Sequence, residues 1–195
     1  VSTYGERVVD VFYVKDIFGL KILNETKLDK IRDLLLKAIS KMHLPVIFTQ
    51  SNSDPGGHII NDALRDYASG HSDAWFLPNL GSKYYFSLMA LASVMVGNSS
   101  SGIIEAASFG LPVVNIGDRQ EGRVKGSNVI DVDYSTEGIL LGIHGALTEQ
   151  FVRGSKTTVN PYGYGNASVL IVETLGEVGL GPELVKKLFV DTDRS

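Results

Sequence analysis

Apolar residues fall into two alternating patterns along this chain. Short β-branched or aromatic runs alternate with longer stretches in which apolar positions recur every three or four residues. Residues 8–14 (Val-Val-Asp-Val-Phe-Tyr-Val) read as a strand, with Phe18-Gly19 beyond it. Residues 27–42 read as an amphipathic helix with Leu28, Ile31, Leu34, Leu35, Ala38 and Ile39 on one face. Residues 46–49 form a short buried strand and residues 50–55 a loop. Asp54-Pro55 then starts a helix, an acid before proline at the first helical position, running to about residue 68 and ending near Gly70. Further strands are expected at 74–77, 94–96, 112–116 and 128–132. Further helices are expected at 84–92, 103–109, 136–147, 167–175 and 183–189. This alternation predicts an α/β fold, a doubly wound parallel sheet of Rossmann-like type.

Composition narrows the function more than the fold. The chain has 195 residues, enough for one α/β domain with a real core or a domain plus an appendage. At 44% hydrophobic and 21% charged it has an ordinary globular composition. A net charge of −4, with 18 dispersed basic residues, gives no case for nucleic acid or a membrane surface. With no cysteine, disulfides, thiolate metal sites and thiol catalysis are excluded. Apolar runs fall short of a membrane span and no signal-peptide pattern opens the chain, so a cytoplasmic protein is the expectation. The first residue is Val1 rather than Met, as in a fragment.

Ligands of open α/β sheets bind beyond the carboxyl ends of the strands. Three loops meet that condition, residues 50–57, 97–102 and 117–125, and can line one crevice. The richest is the second. Ser99, Ser100, Ser101 and Gly102 offer hydroxyls and free backbone N–H groups at a helix start, which suits phosphate oxygens. A helix cap alone also explains serines there, although one serine suffices for a cap. Glu105, one turn on, can accept both hydroxyls of a ribose, or be an ordinary helix acid near the positive end of the dipole. Arg119 can grip phosphate in bidentate fashion or pair with Glu105, with Asp118 as a purely local alternative partner; Arg123 and Gln120 are further candidates. Asn52, Ser53 and Asp54 read mainly as turn and cap residues, with Asn52 able to reach a base or sugar. The four histidines show no metal-ligand spacing. His58 lies on the crevice side, while His43, His71 and His144 read as surface residues. The Gly-rich turn at 160–167 is a connector or a closing loop. No second acid accompanies Glu105, so the crevice can hold a nucleotide but offers little machinery to transform one. No metal or cofactor is expected.

Residues 97–106 (Gly-Asn-Ser-Ser-Ser-Gly-Ile-Ile-Glu-Ala) and 108–123 (Ser-Phe-Gly-Leu-Pro-Val-Val-Asn-Ile-Gly-Asp-Arg-Gln-Glu-Gly-Arg) closely resemble the hydrolysing UDP-N-acetylglucosamine 2-epimerases of the sialic-acid type. So do residues 44–49, 52–57, 160–163, 165–168 and 184–191, and the resemblance runs from about Lys41 to the end. That family has two Rossmann-like domains facing each other across a cleft, the GT-B arrangement. What resembles it here is the carboxyl-terminal, UDP-holding half, residues 41–195. The resemblance implies that Ser99, Ser100 and Ser101 contact the diphosphate and Glu105 the ribose. It also implies that Arg119 supports the nucleotide and Asn52 lies near it. The family's acid–base carboxylates sit mainly on the amino-terminal domain. Its reaction is anti elimination of UDP to a glycal, then hydration, giving N-acetylmannosamine and UDP.

The start of the chain departs from that pattern. The family's domain opens with a strand ending in His-Pro, whose histidine belongs to the active site, and no counterpart stands here. Residues 1–40 are instead similar to the end of the regulatory ACT domain of protein-PII uridylyltransferases. Three readings follow: an epimerase half inactive alone, a non-catalytic nucleotide-sugar module with an ACT-like segment, or a fragment of a GT-B glycosyltransferase. UDP or UDP-N-acetylglucosamine is the expected partner in each, with homo-oligomerisation left open.

Overall fold

The computed structural model describes residues 8–11, 25–50 and 57–185. Parallel sheets are buried on both faces, so their strands need β-branched, nearly continuous apolar runs. The chain supplies six: β1 (Val8–Val11), β2 (Val46–Thr49), β3 (Ala74–Leu77), β4 (Val94–Gly97), β5 (Val113–Ile116) and β6 (Val129–Val132). They form one sheet in the order β3-β2-β1-β4-β5-β6, parallel throughout, with β1 aligned to β2 (Val8 opposite Val46) and to β4 (Val8 opposite Val94). Every residue of β4 and β5 is buried.

Helices α1 (Glu25–Met42), α2 (Gly57–Gly70) and α5 (Thr136–Ala146) close the larger core. Leu35, Ile39, Ile60, Leu64, Ile139 and Ile143 pack there with Phe48, Val96 and Val114 of the strands. A smaller cluster of Met89, Met95, Ala106, Leu111 and Val113 joins α3 (Gly81–Leu91) to the centre of the sheet. Strand order reverses where α3 carries the chain from β3 across to β4. The switch lies between β1 and β4, and doubly wound sheets hold ligands beyond the carboxyl ends of their strands near such a switch.

Residues 103–109, expected as one helix, are two pieces. α4 (Ser100–Ile104) ends at Glu105, and a 3-10 turn (Ala106–Phe109) follows. Gly110 closes it with φ 60°, a left-handed residue typical of a helix end. The sequence reading also missed α6 (Glu149–Lys156), an amphipathic helix capped by the Thr148 hydroxyl, which accepts from the Phe151 N–H at 3.3 Å. It starts just after α5 ends, with only Leu147 and Thr148 between them. Residues 51–56, 12–24 and 186–195 lie outside the described residues. So therefore do Asn52, Ser53 and Asp54, the end of the first expected strand and most of the expected helix at 183–189. Residues 163–195 form a second compact unit, whose described helices are α7 (Ala167–Glu177) and α8 (Pro182–Val185).

Candidate functional site

A cavity of about 340 Å³ opens at the carboxyl ends of β2, β3 and β4. The turn after β4 supplies Ser99 and Ser101, and Glu105 stands one helical turn beyond Ser101 on the same side of α4. Thr49 and Gln50 come from the end of β2. The loop after β3 contributes Pro78 to Ser82, and α3 adds Tyr85 and Phe86. The sequence reading missed the β3 loop and Tyr85. The signal was there, since Pro78-Asn79-Leu80-Gly81 follows a strand as the other crevice loops do. Asn79 shapes that loop by accepting the Gly81 N–H at 2.9 Å.

The serines divide the work. The buried Ser99 caps α4, its hydroxyl accepting the Ser101 N–H at 3.3 Å, so the cap reading holds for this residue. Ser101 Oγ lies 2.9 Å from the Tyr85 hydroxyl and 3.3 Å from Ser99 Oγ. A hydroxyl has one proton and two lone pairs, so both serines keep capacity for a ligand. Ser100 is half-buried and does not line the cavity. Gly102 is buried, and a Cβ there would sit 3.0 Å from Val113 Cγ1. Its absent side chain lets α4 settle on β5. With only five residues, α4 has a small dipole, so its anion affinity rests on hydroxyls and N–H groups.

Glu105 is the one carboxylate among the described residues that line the cavity. Its Oε2 is buried with no hydrogen-bond partner. Burial raises its pKa above the usual carboxylate range, partly offset by its own backbone N–H. Such an unsatisfied acceptor costs stability unless a ligand donates to it.

Arg119 and Gln120 lie outside the cavity lining and act on its frame. Arg119 Nη1 and Gln120 Nε2 both donate to the Asn98 carbonyl at 2.8 Å, fixing the backbone just before Ser99. Gln120 is 2% exposed, so Gln120→Ala leaves that carbonyl half-served. It should cost about 0.5–1.5 kcal/mol by urea unfolding, the range for one lost hydrogen bond, because Arg119 still donates to the carbonyl. Arg123 is exposed and away from the cavity, and Asp118 accepts the Tyr134 hydroxyl at 3.2 Å. The expected crevice loop at 117–125 thus braces the site and does not line it. At its far end Lys125 pairs with Asp131 at 2.7 Å, and Asp131 also accepts from Asn115 at 2.7 Å.

His43, His71 and His144 are exposed, and His58 lies in α2. His43 and His71 border a second cavity of about 220 Å³ at the amino ends of β2 and β3, where the His71 ring stacks on Tyr67 at 3.9 Å. No group of three acids or histidines among the described residues could hold a metal ion. No helix among them is long and apolar enough to cross a membrane.

Comparison with known proteins sets this geometry in a family. The family model described as UDP-N-acetylglucosamine 2-epimerase matches residues 21–176. A Legionella pneumophila relative named UDP-N,N'-diacetylbacillosamine 2-epimerase (hydrolyzing) is 38% identical over 153 residues, 78% of this chain and 39% of that protein. The Neisseria meningitidis UDP-GlcNAc 2-epimerase, solved bound to UDP-GlcNAc, superposes with a TM-score of 0.63 at 20% identity. That match covers 91% of this chain and 46% of the other, and it bears on the fold alone. The chain spans less than half the length of these relatives. A segment of the chain resembles a second family: the bifunctional uridylyltransferase/uridylyl-removing enzyme of Rhodospirillum rubrum is 63% identical over 41 residues, 21% of this chain and 4% of that protein. β1 precedes the residues that the epimerase family model matches. From residue 21 to residue 176, then, the chain belongs to the UDP-N-acetylglucosamine 2-epimerase family.

Proposed function

We propose that this chain is the UDP-holding half of a hydrolysing UDP-sugar 2-epimerase, and that it has no turnover by itself. The observation that carries the reading is the unpartnered Glu105 oxygen in the cavity beside Ser99 and Ser101. A nucleoside diphosphate fits that pattern from end to end. Ribose hydroxyls donate to Glu105, the diphosphate takes the Ser99 and Ser101 hydroxyls with Ser100 and Gly102 at its edge, and the base meets Tyr85 and the β3 loop. Arg119 and Gln120 hold the turn in register from behind, and Arg119 adds positive charge near the phosphates. Asn52 and Arg123 are assigned to the periphery of the nucleotide. The domain boundary of this reading falls near residue 40, between the uridylyltransferase-like segment and the epimerase-type half.

In the full reaction UDP is the leaving group. A base removes the sugar C2 proton while the C1–O bond to UDP breaks, and water then adds to the glycal. Glu105 is committed to the ribose, and no other carboxylate among the described residues lines the cavity, so the base and acid come from a facing domain. The sugar is N-acetylglucosamine, as in sialic-acid biosynthesis, or the diacetylated relative named for the Legionella protein. The proposed setting is cytoplasmic. Calorimetry on these 195 residues is expected to show weak UDP binding, because they supply one wall of the proposed cleft. The purified chain is expected to release neither N-acetylmannosamine nor UDP from UDP-N-acetylglucosamine. Turnover by the chain alone would remove the half-enzyme reading. Turnover only with an added amino-terminal epimerase domain would separate it from a non-catalytic module or a glycosyltransferase fragment.

A further inference from the structure

The turn opening at Asn160 makes hydrogen bonds that its own folding does not require. Asn160 is 7% exposed, and its side chain is fully engaged. Nδ2 donates to the Ile104 carbonyl at 2.9 Å and to Ser108 Oγ at 2.7 Å, while Oδ1 accepts the Tyr162 N–H at 2.9 Å. The two acceptors of Nδ2 bracket Glu105, one just before it and one three residues after.

The backbone explains why a donor is needed there. In a continuous α-helix the Ile104 carbonyl would take the N–H of Ser108. That N–H instead bonds the Glu105 carbonyl at 2.9 Å, because α4 tightens into the 3-10 turn at this point. The Ile104 carbonyl thereby loses its helical partner, and Asn160 replaces it. Glu105 is thus held by its own N–H to Ser101 at 3.0 Å, by Ser108 on its carbonyl, and by Asn160 on the preceding peptide. A second tie steadies the turn, as the Tyr162 hydroxyl donates to the Val124 carbonyl at 3.0 Å.

We propose that Asn160 is a positioning residue for Glu105: its side chain fixes the helix break that aims the Glu105 carboxylate into the nucleotide cavity. The proposal rests on the reading of Glu105 as the ribose acceptor. The test compares UDP with 2′,3′-dideoxyuridine diphosphate, which lacks both ribose hydroxyls, by calorimetry on the full chain. Asn160→Ala should weaken UDP about tenfold, the scale of a misaligned charged hydrogen bond, and leave the dideoxy ligand unchanged. Combined with Glu105→Gln it should add nothing to the loss of Glu105→Gln alone. Equal weakening of both ligands by Asn160→Ala, or additive losses in the double variant, would overturn the proposal and leave the ribose reading standing. A wild-type chain that binds the two ligands equally would remove the ribose reading, and the proposal with it. If Asn160→Ala does not fold by circular dichroism, Ser108→Ala deletes one exposed acceptor only. It is then expected to weaken UDP about twofold and spare the dideoxy ligand, consistent with a modest neutral hydrogen bond. Wild-type affinity for UDP in Ser108→Ala would count against Asn160.

Discussion

Gly117→Ala should lower the melting temperature by roughly 5–15 °C, corresponding to about 2–4 kcal/mol for a chain of this size. Two costs combine. Gly117 has φ 75°, where an L side chain costs about 1–2 kcal/mol. A Cβ built there would also fall within the Tyr134 ring, which packs directly on the glycine. That ring has nowhere nearby to go without losing its hydrogen bond to Asp118 and its place against the core, which adds a cost of about 1–2 kcal/mol. The same loop carries Arg119 and Gln120 to the Asn98 carbonyl, so UDP affinity should fall along with stability. Differential scanning calorimetry checks the first effect and ligand titration the second. A Tm within two degrees of wild type would show that the loop tolerates the side chain. In a Tyr134→Ala background the substitution should cost only its backbone share, about 1–2 kcal/mol.

Glu105→Gln should move stability and binding in opposite directions. Burial raises the pKa of Glu105, so the folded chain holds this proton more tightly than the unfolded one. The sign follows from linkage. Below the ordinary carboxylate range the group is protonated in both states and costs nothing. As pH rises through its raised folded value, ionisation against burial destabilises the fold. Gln carries no such charge, so the variant's apo form at pH 7 should melt slightly higher than wild type. Binding should weaken by about 1–3 kcal/mol, because an ionised acceptor for two hydroxyls has been lost. For the same reason UDP affinity of the wild type should fall as pH drops towards the raised value at which Glu105 takes up its proton. The dideoxy ligand serves as the control, since it shares the diphosphate titration and lacks the hydroxyls. Parallel pH profiles for the two ligands would assign the dependence to the phosphates and refute the ribose contact.

The sheet was readable from sequence because its strands are short apolar runs bounded by turns, and β4 and β5 at its centre are wholly buried. The runs are not uniform: 113–116 carries Asn115, and 74–77, the edge strand β3, exposes Trp75. Helix continuity was less readable. Ser100 to Phe109 carries one apolar periodicity, yet the chain tightens at Glu105, because tertiary donors such as Asn160 make the 3-10 turn affordable. α6 was hidden because Thr148 caps it immediately after α5, and its eight residues carry only two large apolar side chains, Phe151 and Val152, too few to show a helical period. In the site, Ser99, Ser101 and Glu105 could be found from their order along one turn. Their neighbours across the cavity could not. Tyr85 and the β3 loop meet them because α3 carries the chain from β3 across to β4, a matter of tertiary path and not of spacing. Arg119 has the chemistry of a phosphate ligand, but its observed bond to the Asn98 carbonyl depends on the loop path set by Gly117 and Tyr134.

The place of β1 has a consequence for how the protein fails. Its four residues are the bridge between β3-β2 on one side and β4-β5-β6 on the other. Chain cleavage that released Val8–Val11 would leave two inner edges facing each other with unpaired backbone groups, both flanked by apolar side chains. Edges of that kind recruit strands from other molecules. Limited proteolysis near the amino terminus should therefore be followed by aggregation rather than by a smaller soluble domain, and added peptide of the β1 sequence should slow it.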